Sequence, residues 1–284
     1  MPAVTSPPSV RDLVAVLDAW YPPAWAESWD RVGLVLGYPD QRVRRVLLAV
    51  DVTPAVAAQA TATGAELIVA HHPLLLRGVS SVAPTSHKGR IVHELIRAGV
   101  ALFAAHTNAD VANPGVSDAL AARLGLTELR PLRAAGGAAA GEGRGFGRIG
   151  VLPAPLSLPD FTALAVRALP ATDSGVRSAG PDAALVRTVA VCGGAGEEFL
   201  ADATAAGVDA YLTADLRHHP ASEHLADGGP ALVDAAHWAT ERPWLDTVAA
   251  RLAAECGVET VVSDLNTDPW RYHAGVPEKE DQLP

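Results

Sequence analysis

The chain has little cysteine, no block of positive charge and no long apolar run, and each scarcity excludes something. Its two cysteines, Cys192 and Cys256, stand outside any C-x-x-C pattern, which excludes a disulfide framework and reads as reduced thiols in a cytoplasmic protein. The formal net charge is −10, and no run of Lys and Arg exceeds two residues, so there is no basic stripe for a phosphate backbone and no direct nucleic-acid partner is expected. No apolar stretch approaches the ~18 residues that span a bilayer, and MPAVTSPPSV carries neither a basic nor an apolar targeting region, so neither a membrane nor export is expected. What is present is a well-filled core: 49% of the 284 residues are hydrophobic and only 19% charged, enough for one large or two ordinary globular domains.

The sequence repeats itself. RRVLLAVDVTP, AVAAQATATG, AELIVAHHP, HKGRIVHELIRAG and VALFAAHTNAD read as strand, helix, strand, helix, strand, with Gly64 and Gly99 closing the helices. From Arg187 the order recurs: RTVAVCGGAG, EEFLADATAAG closed by Gly207, VDAYLTAD, HHPASEHLADGG, and PALVDAAHWATE as a final strand. Residues 60–70 align with 203–213, and with one gap His106 and Asp110 fall on His237 and Glu241. Ser9 caps a first helix that Pro22 ends, Ser157 caps another, and a last helix beginning at Pro243 ends at Gly257 before the strand VETVVSD. The expected fold is therefore α/β: two related domains from an internal duplication, with mixed, mostly parallel sheets flanked by helices and a metal site between them. The expected limits are a first domain over 1–130, a flexible Gly/Ala-rich connection over 131–147, and a second domain over 148–284 whose end packs back on the first.

Two His-x-x-x-acid tetrads, His106 to Asp110 and His237 to Glu241, follow small apolar runs, and the tandem His71-His72 ends the run ELIVA. Imidazole nitrogen and carboxylate oxygen form the mixed donor set of zinc and its divalent neighbours, and a carboxylate can bridge two ions. All lie where buried strands run out, the place where open α/β sheets bind ligands. Each has a simpler reading beside it. The adjacent histidines can be satisfied by backbone carbonyls, although Pro73 holds His72 out of the helical region. Asp110 can cap a following helix, Glu241 can be a surface acid on the first turn of the last helix, and His106 can orient a ligand or substrate rather than bind metal. His218, His219 and His224 read mainly as surface or substrate-facing residues, and Gly193-Gly194-Ala195-Gly196 as either a phosphate-binding turn or a plain one.

The strings AVDVTPAV, GAELIVAHHPLLLRGVSSV, AHTNADVANPGVSDALAARLGL, VAVCGGAG, DAYLTADLRHH and AHWATE together resemble the GTP cyclohydrolase I type 2 homologues, also described as NIF-three-like dinuclear metal centre proteins. The resemblance extends from SWDRVGLVLG to SDLNTDPW. It implies two divalent ions per chain, their identity open among zinc, iron, manganese, nickel and cobalt, on His71, His72, Asp110, His237 and Glu241, with Glu241 bridging. It also implies a homohexameric ring and a short form without the insertion domain of some relatives. Arg31 and Ala214 stand where the family usually has Asn and Gly.

Two ions in one site favour hydrolysis of a nucleotide or other small molecule. If GTP is the substrate, an activated water attacks C8 of guanine and formate leaves, with His106 or His218 as the proton donor. The second reading is a non-catalytic metal-binding scaffold or metallochaperone that acts through protein partners, and a third is a mononuclear site.

Overall fold

A computed structural model of the chain describes residues 6–181 and 183–274. In the first half, α1 (Val10–Trp20), β1 (Gly33–Leu36), β2 (Arg45–Ala49), α2 (Pro54–Thr63), β3 (Leu67–Ala70), α3 (His87–Ala98), β4 (Ala101–Ala104) and α4 (Thr107–Val111) follow one another. Then α5 (Val116–Arg123), β5 (Thr127–Ala134) and β6 (Gly145–Ser157) lead into a second half of the same order. It runs α6 (Leu158–Ala168), β7 (Val176–Ala179), β8 (Leu185–Ala195), α7 (Leu200–Ala206), β9 (Ala210–Ala214), α8 (His218–Ala226), β10 (Ala231–Ala235) and α9 (His237–Cys256), with β11 (Glu259–Val262) last.

Local chemistry sets the helix limits. Ser9 and Asp12 form a reciprocal capping box on α1, Thr53 caps α2 ahead of Pro54, and Ser157 caps α6 ahead of Pro159. Gly64, Gly99, Gly207 and Gly257 end their helices in the left-handed region, at φ of 67°, 66°, 65° and 66°.

The first sheet has the order β1-β4-β3-β2-β11, parallel except for the edge strand β1. The second has the order β5-β6-β8-β9-β10-β7, where β8, β9 and β10 are parallel and the flanking strands antiparallel. Parallel pairing thus holds the centres of both sheets, and the second is the more mixed of the two. The halves match in detail. β1 and β7 each precede the first parallel strand of their half and pair antiparallel with the last. The carboxylate of Glu66 accepts the N–H groups of Arg44 and Arg45, and that of Asp209 accepts those of Arg187 and Thr188.

One core joins the halves. Alternate residues of the first sheet (Val46, Leu48, Val69, Phe103) and of the second (Val189, Val191, Leu212, Val233) bury the same helices, α1, α5, α6 and α9. The opposite faces are covered by α2 with α3 and by α7 with α8. The order of layers is therefore helices, sheet, helices, sheet, helices. Among the described residues no helix is long and apolar enough to cross a membrane.

Three local expectations change. Residues 131–147 are not a free connection: Pro131 pairs with Arg148 and Ala134 with Gly145, while Leu132 and Phe146 pack in the second sheet's outer core. Glycine and alanine there mark a hairpin end, and the bulky residues that fix it lie at its margins. The final strand stops at Ala235, so HWATE forms the first turns of α9 rather than strand. Pro243 lies inside that helix instead of starting it, because a proline removes one i→i−4 bond, which the buried turn around it outweighs. β11, from the second half, pairs with β2 in the first sheet.

Arg148 ties the hairpin to the middle layer. Fully buried, it binds both Asp118 oxygens at 2.8 and 2.6 Å and donates to the carbonyls of Gly145, Gly147 and Ala112. Asp118→Ala strips the guanidinium of its counter-charge while leaving it buried, and should lower stability by about 3–5 kcal/mol, read as a drop in the urea midpoint. A loss below about 1 kcal/mol would show that the pair behaves as an exposed one.

Candidate metal centre

The C-terminal ends of β3, β4 and β10 meet at one point in the middle layer. His71 and His72 leave β3, His106 caps α4, Asp110 lies in its first turn, and His237 and Glu241 stand one turn apart at the start of α9. The structure thus gathers all the first-ranked sequence candidates. Glu241, 3% exposed, occupies the middle: its Oε1 is 3.0 Å from His237 Nε2 and 3.4 Å from His71 Nε2, and its Oε2 is 3.1 Å from His72 Nε2. Asp110 Oδ1 lies 3.7 Å from His71 Nε2.

The other nitrogen of every ring is committed. His71 Nδ1 donates to the Ala105 carbonyl at 2.9 Å, His72 Nδ1 to Asp51 at 2.8 Å, His106 Nδ1 to Asp30 at 2.9 Å, and His237 Nδ1 to Asp215 at 2.6 Å. Each partner is an acceptor, so each Nδ1 carries the hydrogen and each neutral ring turns its Nε2 lone pair inward. Lone pairs of imidazole thus face lone pairs of carboxylate. His71 Nε2 and Glu241 Oε2 are buried without a hydrogen-bond partner among the described residues. Such an arrangement suits cations between its acceptors, and the donor set, with the second nitrogen of each histidine held by a carboxylate or carbonyl, is one that divalent metals take. The residues present therefore fit a metal centre.

Without metal, protons do this work. Burial opposes charge on His72 and His237, but facing Glu241 and their Asp51 and Asp215 partners outweighs it and lifts them to about 10 and about 11. His71, also opposed by burial, is raised by Glu241 and Asp110. Burial alone would raise the Glu241 carboxyl, and the three imidazoles around it hold it well below the usual range instead. Asp110 goes the other way, its burial only partly offset by His71 and His106.

Tight packing fixes the geometry. Gly194 has φ of +68°, and a Cβ there would meet Glu241 Oε1 at 2.4 Å and His237 Nε2 at 3.0 Å. Its N–H goes to Thr240 Oγ1 and that of Gly193 to Ser117 Oγ, so these two amides of the GGAG run are engaged, and Gly194 serves as a bare wall behind Glu241 rather than a phosphate cradle. Trp244 backs His71 at 5.3 Å between rings and donates to Tyr21.

Beside the centre opens a cleft of about 810 Å³, lined by His72, His237, Asp51 and Asp215 on the metal side and by Arg177, Thr267 and Trp270 farther out. His218 stands exposed on α8 beside His219 and lines a neighbouring groove, outside this cleft and outside the cluster around Glu241. Asp30, Asp51 and Asp215 are the functional residues that sequence reasoning passed over. Their strings, SWDR, LAVD and LTAD, each carry an acid near a buried segment, but nothing local says which imidazole the acid meets.

Two outcomes test this geometry. Metal loading at pH 7 should displace protons from His72 and His237, seen as acidification of a weakly buffered sample, and apparent affinity should rise with pH; loading without proton release would contradict it. Gly194→Ala should fold yet lose metal, since its Cβ and Glu241 cannot share the space, and full metal content in that variant would show that the glycine is dispensable.

The chain is similar to known proteins over nearly its whole length. The GTP cyclohydrolase 1 type 2 homolog of Streptomyces coelicolor is 50% identical over 271 residues, covering 94% of this chain and 95% of the relative. That of Mycobacterium tuberculosis is 39% identical over 369 aligned positions, covering 92% and 97%. That alignment is longer than this 284-residue chain, which therefore lacks a segment the relative carries. Among solved structures, the Bacillus cereus protein related to NIF3 superposes with a TM-score of 0.86 at 25% identity over 95% of this chain and 100% of that one. Staphylococcus aureus hypothetical protein SA1388 gives 0.85 at 28% identity, over 94% and 100%. The sequence pattern of one family matches residues 8–269, nearly the whole chain, and the protein belongs to that family, Duf34/NIF3 (NGG1p interacting factor 3).

Proposed function

We propose that the centre binds two divalent metal ions bridged by Glu241, and that the protein is a metal-dependent hydrolase of a small molecule. The observation that carries this reading is the convergence of unpartnered acceptors on Glu241 beside an open cleft that His72 and His237 line. When bound, a pair of divalent ions supplies Lewis acidity and activates water at neutral pH. The chain's own part is to hold the centre and admit a ligand. Glu241 Oε1 faces both His71 and His237, its Oε2 faces His72, and Asp110 lies beside His71. Asp51 and Asp215 keep the Nε2 atoms of His72 and His237 turned toward Glu241.

The relatives' name brings GTP forward as the first substrate to test. Among the described residues lining the cleft, Arg177 is the one guanidinium, and Asp234 holds it at 2.6 Å, so the walls offer a triphosphate little positive charge beyond the metal centre. That weighs toward a less highly charged substrate. A homohexameric assembly and a cytoplasmic setting belong to the same reading; both cysteines are free, as a reducing compartment requires.

Metal analysis of purified protein should find about two ions per chain, falling to one or none in Glu241→Ala, with formate release from GTP lost in parallel. Metal without formate in the unaltered protein would sink GTP as the substrate. Asp215→Asn should fold normally and weaken metal binding about 10- to 100-fold by releasing the His237 ring. Native mass measurement should give about six chains, and a monomer would remove the hexamer from the reading.

A further inference from the structure

We infer that His106 is a further metal ligand, so that one ion position is closed by His71, His106, Asp110 and Glu241 while the other, on His72, His237 and Glu241, is left open to substrate. The inference rests on the dinuclear reading above and makes its two ions unequal.

Among the described residues two groups of three side chains bring ligand atoms within 4.8 Å of one another: His71, His72 and His106, and His72, His237 and Glu241. His72 belongs to both, yet one imidazole nitrogen has one lone pair and serves one ion. Its Nε2 lies 3.1 Å from Glu241 Oε2, and its ring is 5.1 Å from that of His237, which assigns it to the second group. His106 then remains with His71, their rings 5.1 Å apart, and with the Asp110 and Glu241 oxygens that face His71 Nε2.

His106 is also prepared as the ligands are. Its Nδ1–H is held by Asp30, as Asp51 holds His72 and Asp215 holds His237. The Asp30 carboxylate is itself fixed by the Thr107 N–H at 3.0 Å and hydroxyl at 2.6 Å, and its side chain is fully buried. His106 Nε2 has no hydrogen-bond partner among the described residues. A ring oriented this firmly, with its free lone pair turned into a cluster of donors, is built to coordinate.

The cleft supplies the asymmetry. His72 and His237 line it, whereas His71, His106 and Asp110 do not. Four protein groups complete a tetrahedral ion, as in structural sites, while three leave a position for an exogenous molecule, as in catalytic ones.

Cobalt(II) alone serves as the probe, with metal counted after exposure to a chelator and the absorption spectrum followed as azide is added. The wild type should bind two ions and keep one through chelation. His106→Ala should lose the retained ion, with affinity at that position down tenfold or more, and Asp30→Asn, which keeps the His106 ring, should weaken it about 10- to 100-fold. His237→Ala should keep the retained ion and lose the azide response. Two ions in both the wild type and His106→Ala, released with equal ease, would overturn the His106 assignment and leave the dinuclear reading standing. Fewer than two ions in the wild type would overturn both.

Discussion

Four imidazoles and two carboxylates are turned so that acceptors face acceptors around the buried carboxyl of Glu241, and the rest of the structure serves to hold that arrangement. Left to themselves such groups would rotate to find donors or open to water. They cannot, because each ring is locked from behind: His71 by a carbonyl and a Trp244 contact, and the other three by the buried Asp30, the half-buried Asp51 and the exposed Asp215. Cations relieve this repulsion, protons among them, and that is what fits the cluster to a metal ion.

That locking depends on both sheets sharing one core. His71, His72, His106 and Asp110 come from the first half, and His237 and Glu241 from the second, and α9 carries the second pair into the layer between them. Because α9 packs against strands of both sheets, and β11 returns to the first sheet, a shift of one half against the other would move Glu241 away from His71 and His72. The buried Arg148–Asp118 pair pins the hairpin between the halves in the same way.

The duplication is used unequally. Counting from the matched acids Glu66 and Asp209, His72 corresponds to Asp215, so one position offers a ligand in the first half and orients a ligand in the second. The ladders and helix starts also place Thr107, not His106, opposite His237. His106 works from the cap position of α4, where its backbone, at φ −114° and ψ −108°, leaves the helical path. Aligning His106 with His237 through one gap joins two histidines that occupy successive places in the fold.

The sequence by itself determined the elements and the donor set. Periodic apolar runs, Ser and Thr caps and closing glycines specify most helices and central strands, since those signals act within a few residues. The histidines and acids were legible because clustered ligand types at strand ends are rare in a chain otherwise poor in charge. Partnership across the chain was not legible. Asp30 meets His106 from 76 residues away, Asp51 meets His72 from 21, and Gly194 matters only because Glu241 lies behind it. The hairpin at 131–147, the antiparallel edges and the helical start at His237 were likewise settled by pairing and packing with distant residues. Composition decides what a segment can do, while a metal centre depends on which lone pairs face each other, and that is set only when both sheets close on their common layer of helices.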